Sequence, residues 1–129
     1  MIYLPSILPS SGLSALLGKN GLATADFFKR EILVLQCLVA GTSFRNIHKV
    51  ENQLLPQTKF VLQREPENKH DGLAIKIFLD DYLIGYIPRD SNEVIARLMD
   101  AGKKFHAVLA KIEWQGAWAR VDVDVMMVD

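Results

Sequence analysis

Eight residues near the C-terminus alternate in chemistry with a period of two: Ala119, Val121, Val123, Val125 and Met127 fall on one side, and Arg120, Asp122 and Asp124 on the other. Side chains of an extended chain point to opposite faces with a period of two, so this segment forms a strand that is dry on one face and wet on the other. Sheets wetted on one face are antiparallel, because parallel sheets are covered by crossover helices on both sides. Short runs rich in branched and aromatic residues supply the partners: 32–40, 59–64, 73–79, 82–87 and 104–113, with the alternating strand itself spanning 117–128. Asp80-Asp81 separates the third and fourth runs, and Asp tolerates the left-handed backbone of a two-residue hairpin turn. That turn sets a register in which Ile75 faces Tyr86, Ile77 faces Ile84 and Leu79 faces Tyr82, with Phe78 and Leu83 on the opposite side.

Two helices interrupt the strands. Asp90 after Pro88 is placed as an N-cap, Glu93 completes a capping box and Gly102 supplies the stop, with Val94, Ile95, Leu98 and Met99 as the sheet-facing stripe. A second helix is expected over 46–55, ended by Pro56, with Ile47, Val50 and Leu54 as its apolar stripe. Six or so short strands with two helices predict a mainly β (α+β) domain, a small, curled and partly closed antiparallel barrel over residues 35–129. Residues 1–34 carry Pro5, Pro9, Ser10-Ser-Gly12, Gly18 and Gly21 and are expected to form an irregular or partner-docked arm, in which Leu13, Leu16 and Leu17 have amphipathic spacing.

Composition then removes whole classes of function. With 129 residues the chain fits one domain, and fifteen Lys+Arg balance fifteen Asp+Glu, so a face that tracks duplex DNA through many phosphates is not expected. The longest apolar run, around 32–40, is far short of the roughly 20 residues a membrane-spanning helix needs, so no membrane association is expected. Cys37 is the only cysteine and lies inside that run, and the N-terminus lacks the basic start of a secretory signal; a reducing, cytoplasmic setting is expected. One Cys with His48, His70 and His106 makes no tetrahedral zinc set, and Gly12, Gly18 and Gly21 match neither phosphate-loop fingerprint. No metal, no cofactor and no catalytic residues are expected. A Cys37–His nucleophile pair and an Asp71–His70 hydrolase are the weakest readings, since a thiol in an apolar strand is inert and adjacent residues of an extended loop diverge.

The polar segment Arg64-Glu-Pro-Glu-Asn-Lys-His-Asp71 occupies a connection where two residues would suffice. Either it carries function, or Asn68 and Asp71 simply cap the loop's own backbone. Phe44, Tyr86 and Trp114 stand at strand ends, and Arg45 and Arg89 lie close by in sequence. Rings beside cations are how small barrels hold single-stranded bases. The competing expectation is burial of Tyr86 against its hairpin partners, and of one of Trp114 and Trp118 in the core.

Four blocks in one order resemble the HIRAN domain: Val39-Ala-Gly-Thr-Ser-Phe-Arg-Asn46, Leu62-Gln-Arg-Glu-Pro-Glu-Asn-Lys-His-Asp71, Ala74-Ile-Lys-Ile77 and Ile84-Gly-Tyr-Ile-Pro-Arg89. The resemblance covers about residues 35–128. It implies an OB-like barrel and, from fork-remodelling ATPases that carry such a module, binding of a single-stranded DNA end through its free 3′ hydroxyl. By position, Asp71 is then the hydroxyl acceptor and His70 stacks on or bonds the terminal sugar. Tyr86 lies near the DNA, Arg89 meets phosphate, and Phe44 and Arg45 hold terminal bases, with Trp114 matching the aromatic of the last hairpin. Ser43 stands where those modules have an Arg. The implied setting is DNA repair or stalled-fork processing, with a separate helicase, ATPase or nuclease as partner, because the motor is not in this sequence. The alternative expectation is a protein-interaction or assembly domain without DNA binding, with the N-terminal arm exchanged in a homo-oligomer.

Overall fold

The alternating segment becomes the pivot of the sheet. In the computed structural model, which describes residues 30–129, strand β6 (Trp118–Val128) pairs antiparallel with both β1 (Glu31–Leu38) and β5 (Lys104–Gln115). Ala119, Val121, Val123 and Val125 are buried, as the period of two requires. With β2 (Lys59–Arg64), β3 (Ile75–Leu79) and β4 (Tyr82–Tyr86), the order across the sheet is β1-β6-β5-β2-β3-β4, antiparallel throughout. The two edges, β1 and β4, meet at one point: Ala40 and Tyr86 exchange both backbone hydrogen bonds, at 2.8 and 2.9 Å. One bridge rather than a ladder leaves the barrel open, and the fold is the mainly β, OB-like class expected. Residues 1–29 of the N-terminal arm, its Leu13–Leu16–Leu17 stripe and the arm-exchange expectation lie outside the described residues, while 31–34, counted with the arm, are the start of β1.

The β3–β4 hairpin departs from the expected register. Asp80 adopts φ 52°, as the turn requires, and Leu79 faces Tyr82 and Phe78 faces Leu83; then Ile77 pairs with Gly85, and Lys76, not Ile75, faces Tyr86. Ile84 is the extra residue of a bulge. The bulge shifts the parity of the strand, so Ile84 and Ile87, three apart, both enter the core, while Tyr86 turns off it and stays half-exposed. Gly85 is required at this point. A Cβ there would run into the Ala40 carbonyl oxygen and the Val39 Cγ1, the two groups that bring the β1 side against β4.

The helices also differ in detail. A 3₁₀ turn η1 (Thr42–Phe44) is tied down by the buried Thr42 hydroxyl, which donates to the Ala119 carbonyl at 2.9 Å. The second expected helix is a 3₁₀ segment, η2 (Ile47–Gln53), and Ile47, Val50 and Leu54 are buried as expected. Helix α1 (Glu93–Asp100) starts two residues later than a cap at Asp90 implied, with Asn92 at the N-cap position. Its inward stripe is Ile95, Ala96 and Met99, not Val94 and Leu98; Val94 is 68% exposed. Asp90 instead belongs to the turn closed by the Ser91 N–H on the Pro88 carbonyl. No helix among the described residues is long and apolar enough to cross a membrane.

Candidate nucleic-acid interface

The loop between β2 and β3 owes its shape to its own polar side chains. Asn68 Oδ1 accepts from the backbone N–H groups of His70 (2.8 Å) and Asp71 (2.9 Å), and Asp71 Oδ1 accepts from the Leu73 N–H at 2.9 Å. Arg64 binds the loop from below, donating to the Ala74 carbonyl (2.7 Å) and the Gly72 carbonyl (2.9 Å) while it engages Asp100 at the far end of α1 (2.9 and 3.2 Å). The backbone-capping expectation for Asn68 and Asp71 therefore holds, and the cap leaves Asp71 Oδ2 available. That second oxygen accepts from Asn92 Nδ2 at 2.8 Å.

This rigid loop and the β4 bulge form the two walls of a cavity of about 330 Å³, lined by Ala40, Asn68, His70, Asp71, Ala74, Tyr86, Ile87 and Arg89. Four of the seven expected site residues thus meet in one place: His70, Asp71, Tyr86 and Arg89. The bulge is what turns Tyr86 into this wall. Its hydroxyl donates to Glu65 Oε1 at 2.9 Å, an oxygen that also accepts from Asn68 Nδ2 at 2.7 Å, and Lys76 holds Glu65 Oε2 at 3.1 Å. Burial, then the bond to Glu65, pushes the Tyr86 phenol above its usual range, so it stays protonated and donating.

Asp71 is the charged centre of the cavity. The Leu73 N–H bond is the main force holding its carboxyl below the usual carboxylate range; the Asn92 amide and the positive Arg89 and Arg64 add to it, and desolvation opposes it. Arg89 is exposed and makes no hydrogen bond or ion pair among the described residues, which leaves its guanidinium for an incoming anion.

The other three expected residues stand apart from the cavity lining. Phe44 is 83% exposed at the end of η1, and Arg45 beside it donates to the Phe44 carbonyl at 3.3 Å while its buried Nε has no partner. Trp114 lies near the tip of the β5–β6 hairpin and stacks on His48 of η2, with ring centroids 4.5 Å apart and planes 22° apart. Trp114 and Trp118 are equally exposed, at 37%, so neither ring is a core residue, against the expectation that one of them would be. Both nitrogens of His48 face acceptors, Glu51 Oε1 at 2.8 Å and the Gly116 carbonyl at 3.0 Å.

Asn92 and Glu65 were not anticipated. Asn92 is only 1% exposed, yet no side-chain bond caps the helix it begins; its amide is turned to Asp71 instead. A signal existed, because positions 92, 95, 96 and 99 form an i, i+3, i+4, i+7 stripe whose first member is polar. Elsewhere, burial pushes the Cys37 thiol up to about 11, with Asp122, Asp124 and Asp90 adding to it, so at neutral pH the sulfur is a protonated, poor nucleophile. Among the described residues no group of three or more His, Cys, Asp or Glu is placed to hold a metal ion.

Two solved structures share the fold. A protein from Lactobacillus plantarum superposes with a TM-score of 0.67 at 22% identity, over 78% of this chain and 98% of that one. The HIRAN domain of human HLTF superposes with a TM-score of 0.60 at 19% identity, over 76% of this chain and 78% of that one. No curated protein matches the chain by sequence. The profile of the HIRAN domain matches residues 32–127, a span that starts in β1, ends in β6 and takes in the whole cavity. The chain therefore belongs to the HIRAN domain family, a family of DNA-binding modules.

Proposed function

We propose that this domain binds the 3′ end of single-stranded DNA, with the terminal hydroxyl donating to Asp71, and that it works without catalysis of its own. The observation that carries this reading is the ionised, doubly anchored Asp71 carboxylate in a cavity of about 330 Å³, a volume within the usual range for small-ligand sites. A carboxylate accepts a bond from a hydroxyl and repels a phosphate, so one charge selects between two kinds of strand end. Arg89 at the cavity mouth takes a backbone phosphate, and His70 and Tyr86 flank the terminal sugar. Phe44 and Arg45 supply an exposed ring and a cation for the neighbouring base, and Trp114 with His48 extends the stacking surface at the hairpin tip. A separate helicase, ATPase or nuclease would put a captured end to use in repair or at stalled forks.

The test is fluorescence anisotropy at low salt with one short single-stranded oligonucleotide carrying either a 3′ hydroxyl or a 3′ phosphate. The hydroxyl form is expected to bind more tightly by roughly 10- to 150-fold, the range of one hydrogen bond to a charged group. With about two phosphates contacted, log affinity against log salt should fall with a slope of about −1.4. Equal binding of both oligonucleotides would refute end recognition, and binding of neither would favour a protein-interaction role.

A further inference from the structure

Asp71 could in principle rotate about its side-chain torsions, and a carboxylate free to turn would present no fixed acceptor to a strand end. Oδ1 is held from within the loop by the Leu73 N–H. Oδ2 is held from outside it, by Asn92 Nδ2 at 2.8 Å, and Asn92 is not itself among the cavity-lining residues. An Asn that is 1% exposed and first in the inward stripe of α1 is fixed by the packing of Ile95, Ala96 and Met99 below it. We propose that Asn92 is the positioning residue of the site: through its amide it sets the orientation of the Asp71 carboxylate and keeps it a bare acceptor, so that the start of α1 controls the selectivity of the loop. This rests on the reading of Asp71 as the hydroxyl acceptor.

The geometry supports a control role beyond a single contact. Both ends of α1 are tied to the same loop, Asn92 through Asp71 and Asp100 through Arg64, whose guanidinium holds the Gly72 and Ala74 carbonyls. An amide that donates to a carboxylate stabilises its ionised form and disfavours the protonated one. The other charges that act on Asp71 are Arg89 from the chain after β4 and Arg64 from β2; both favour the carboxylate, and neither is altered by a change at position 92. His70 adjoins it in the same loop.

The experiment combines carboxyl-carbon NMR titration of Asp71 with the two oligonucleotides used above. In the parent protein, the side-chain amide resonances of Asn92 should shift with the same midpoint as the Asp71 carboxyl. Asn92→Leu keeps much of the buried volume and removes the donor; it should raise the Asp71 midpoint and cut the preference for the 3′ hydroxyl by about tenfold, the scale of one charge-assisted bond. Asn92→Asp sets two carboxylates together and should raise the midpoint further. If the preference falls while the Asp71 midpoint stays at the parent value, damage to the helix start explains the loss and the proposal is overturned. An unmoved midpoint with unmoved preference overturns it as well, and leaves end recognition standing. If the parent shows no preference for either end, the reading of the site fails, and the midpoint in Asn92→Leu still decides whether Asn92 positions the carboxylate. Should both variants fail to fold, the parent measurement decides alone: Asn92 amide resonances that ignore the Asp71 titration overturn the proposal.

Discussion

Gly85→Ala tests whether the bulge beside the single bridge between the sheet's edges also builds the site. The added Cβ meets two groups, the Val39 Cγ1 and the Ala40 carbonyl oxygen. A flexible side chain could step aside, but Val39 is packed in the core, and the Ala40 oxygen is the acceptor for the Tyr86 N–H at 2.9 Å. Moving that oxygen breaks the bridge between the sheet's edges. Overpacking of this kind costs about 1–3 kcal/mol, and each of the two bridge hydrogen bonds adds about 1 kcal/mol when lost. The expected loss of stability is therefore about 3–5 kcal/mol, which at roughly 4–8 °C per kcal/mol lowers the melting temperature by at least roughly 12 °C. Urea unfolding should show the midpoint falling with an unchanged slope. Because Ala40 and Tyr86 both line the cavity, the variant should also lose selectivity for the strand end where it remains folded. The double change Val39→Ala with Gly85→Ala separates the two collisions: if the backbone contact dominates, Gly85→Ala still costs about 2 kcal/mol or more in the Val39→Ala background. A Gly85→Ala protein within about 0.5 kcal/mol of the parent would refute the argument, since it falls in the range of ordinary surface substitutions.

Other expectations follow from single contacts. Only an imidazolium can donate to both Glu51 and the Gly116 carbonyl, and the Glu51 bond, then the Gly116 bond, raise the His48 pKa above 6.5. The stability this adds is present in full below the ordinary histidine range and is lost as pH rises through the folded midpoint, with loosening of the stack on Trp114. Proton NMR of the His48 ring, followed with tryptophan emission, should show a shared midpoint above 6.5; one at or below that value refutes it. Thr42→Val removes the buried donor to Ala119 while keeping the shape, and should cost about 1–3 kcal/mol by urea unfolding. Asp71→Asn must turn an amide NH₂ toward either the Leu73 N–H or the Asn92 amide, so it should destabilise the loop as well as abolish end selectivity. In the parent, the stability contributed by the depressed Asp71 pKa is present above the ordinary carboxylate range and lost as pH falls through the folded midpoint. Acid unfolding of Asp71→Asn should accordingly show a shallower pH dependence than the parent.

The parts of this molecule that could be read from the sequence are those governed by local rules. The period of two in residues 119–125, the Asp80-Asp81 turn and the apolar triplet Ile47, Val50 and Leu54 each depend on near neighbours, and each is found where it was expected. The misread features depend on contacts across the fold. Nothing within 82–87 demands a bulge; it arises because residues 39–40 must come against Gly85, and the resulting change of parity decides that Tyr86 lines the cavity beside the loop and not the core. The start of α1 fails for a related reason. Asp90 and Glu93 satisfy the pattern of a capping box, but a cap at Asp90 would turn a different face inward, and burial of Ile95, Ala96 and Met99 outweighs a terminal hydrogen bond of about 1 kcal/mol. The same choice of face buries Asn92 at the one place where its amide reaches Asp71. The loop carrying Asp71 was visible in the sequence because polar residues stood in a connection longer than it needed to be. The group that holds Asp71 was not, because a cap at Asp90 puts Asn92 inside the first turn of the helix, and only the fold shows where its amide points.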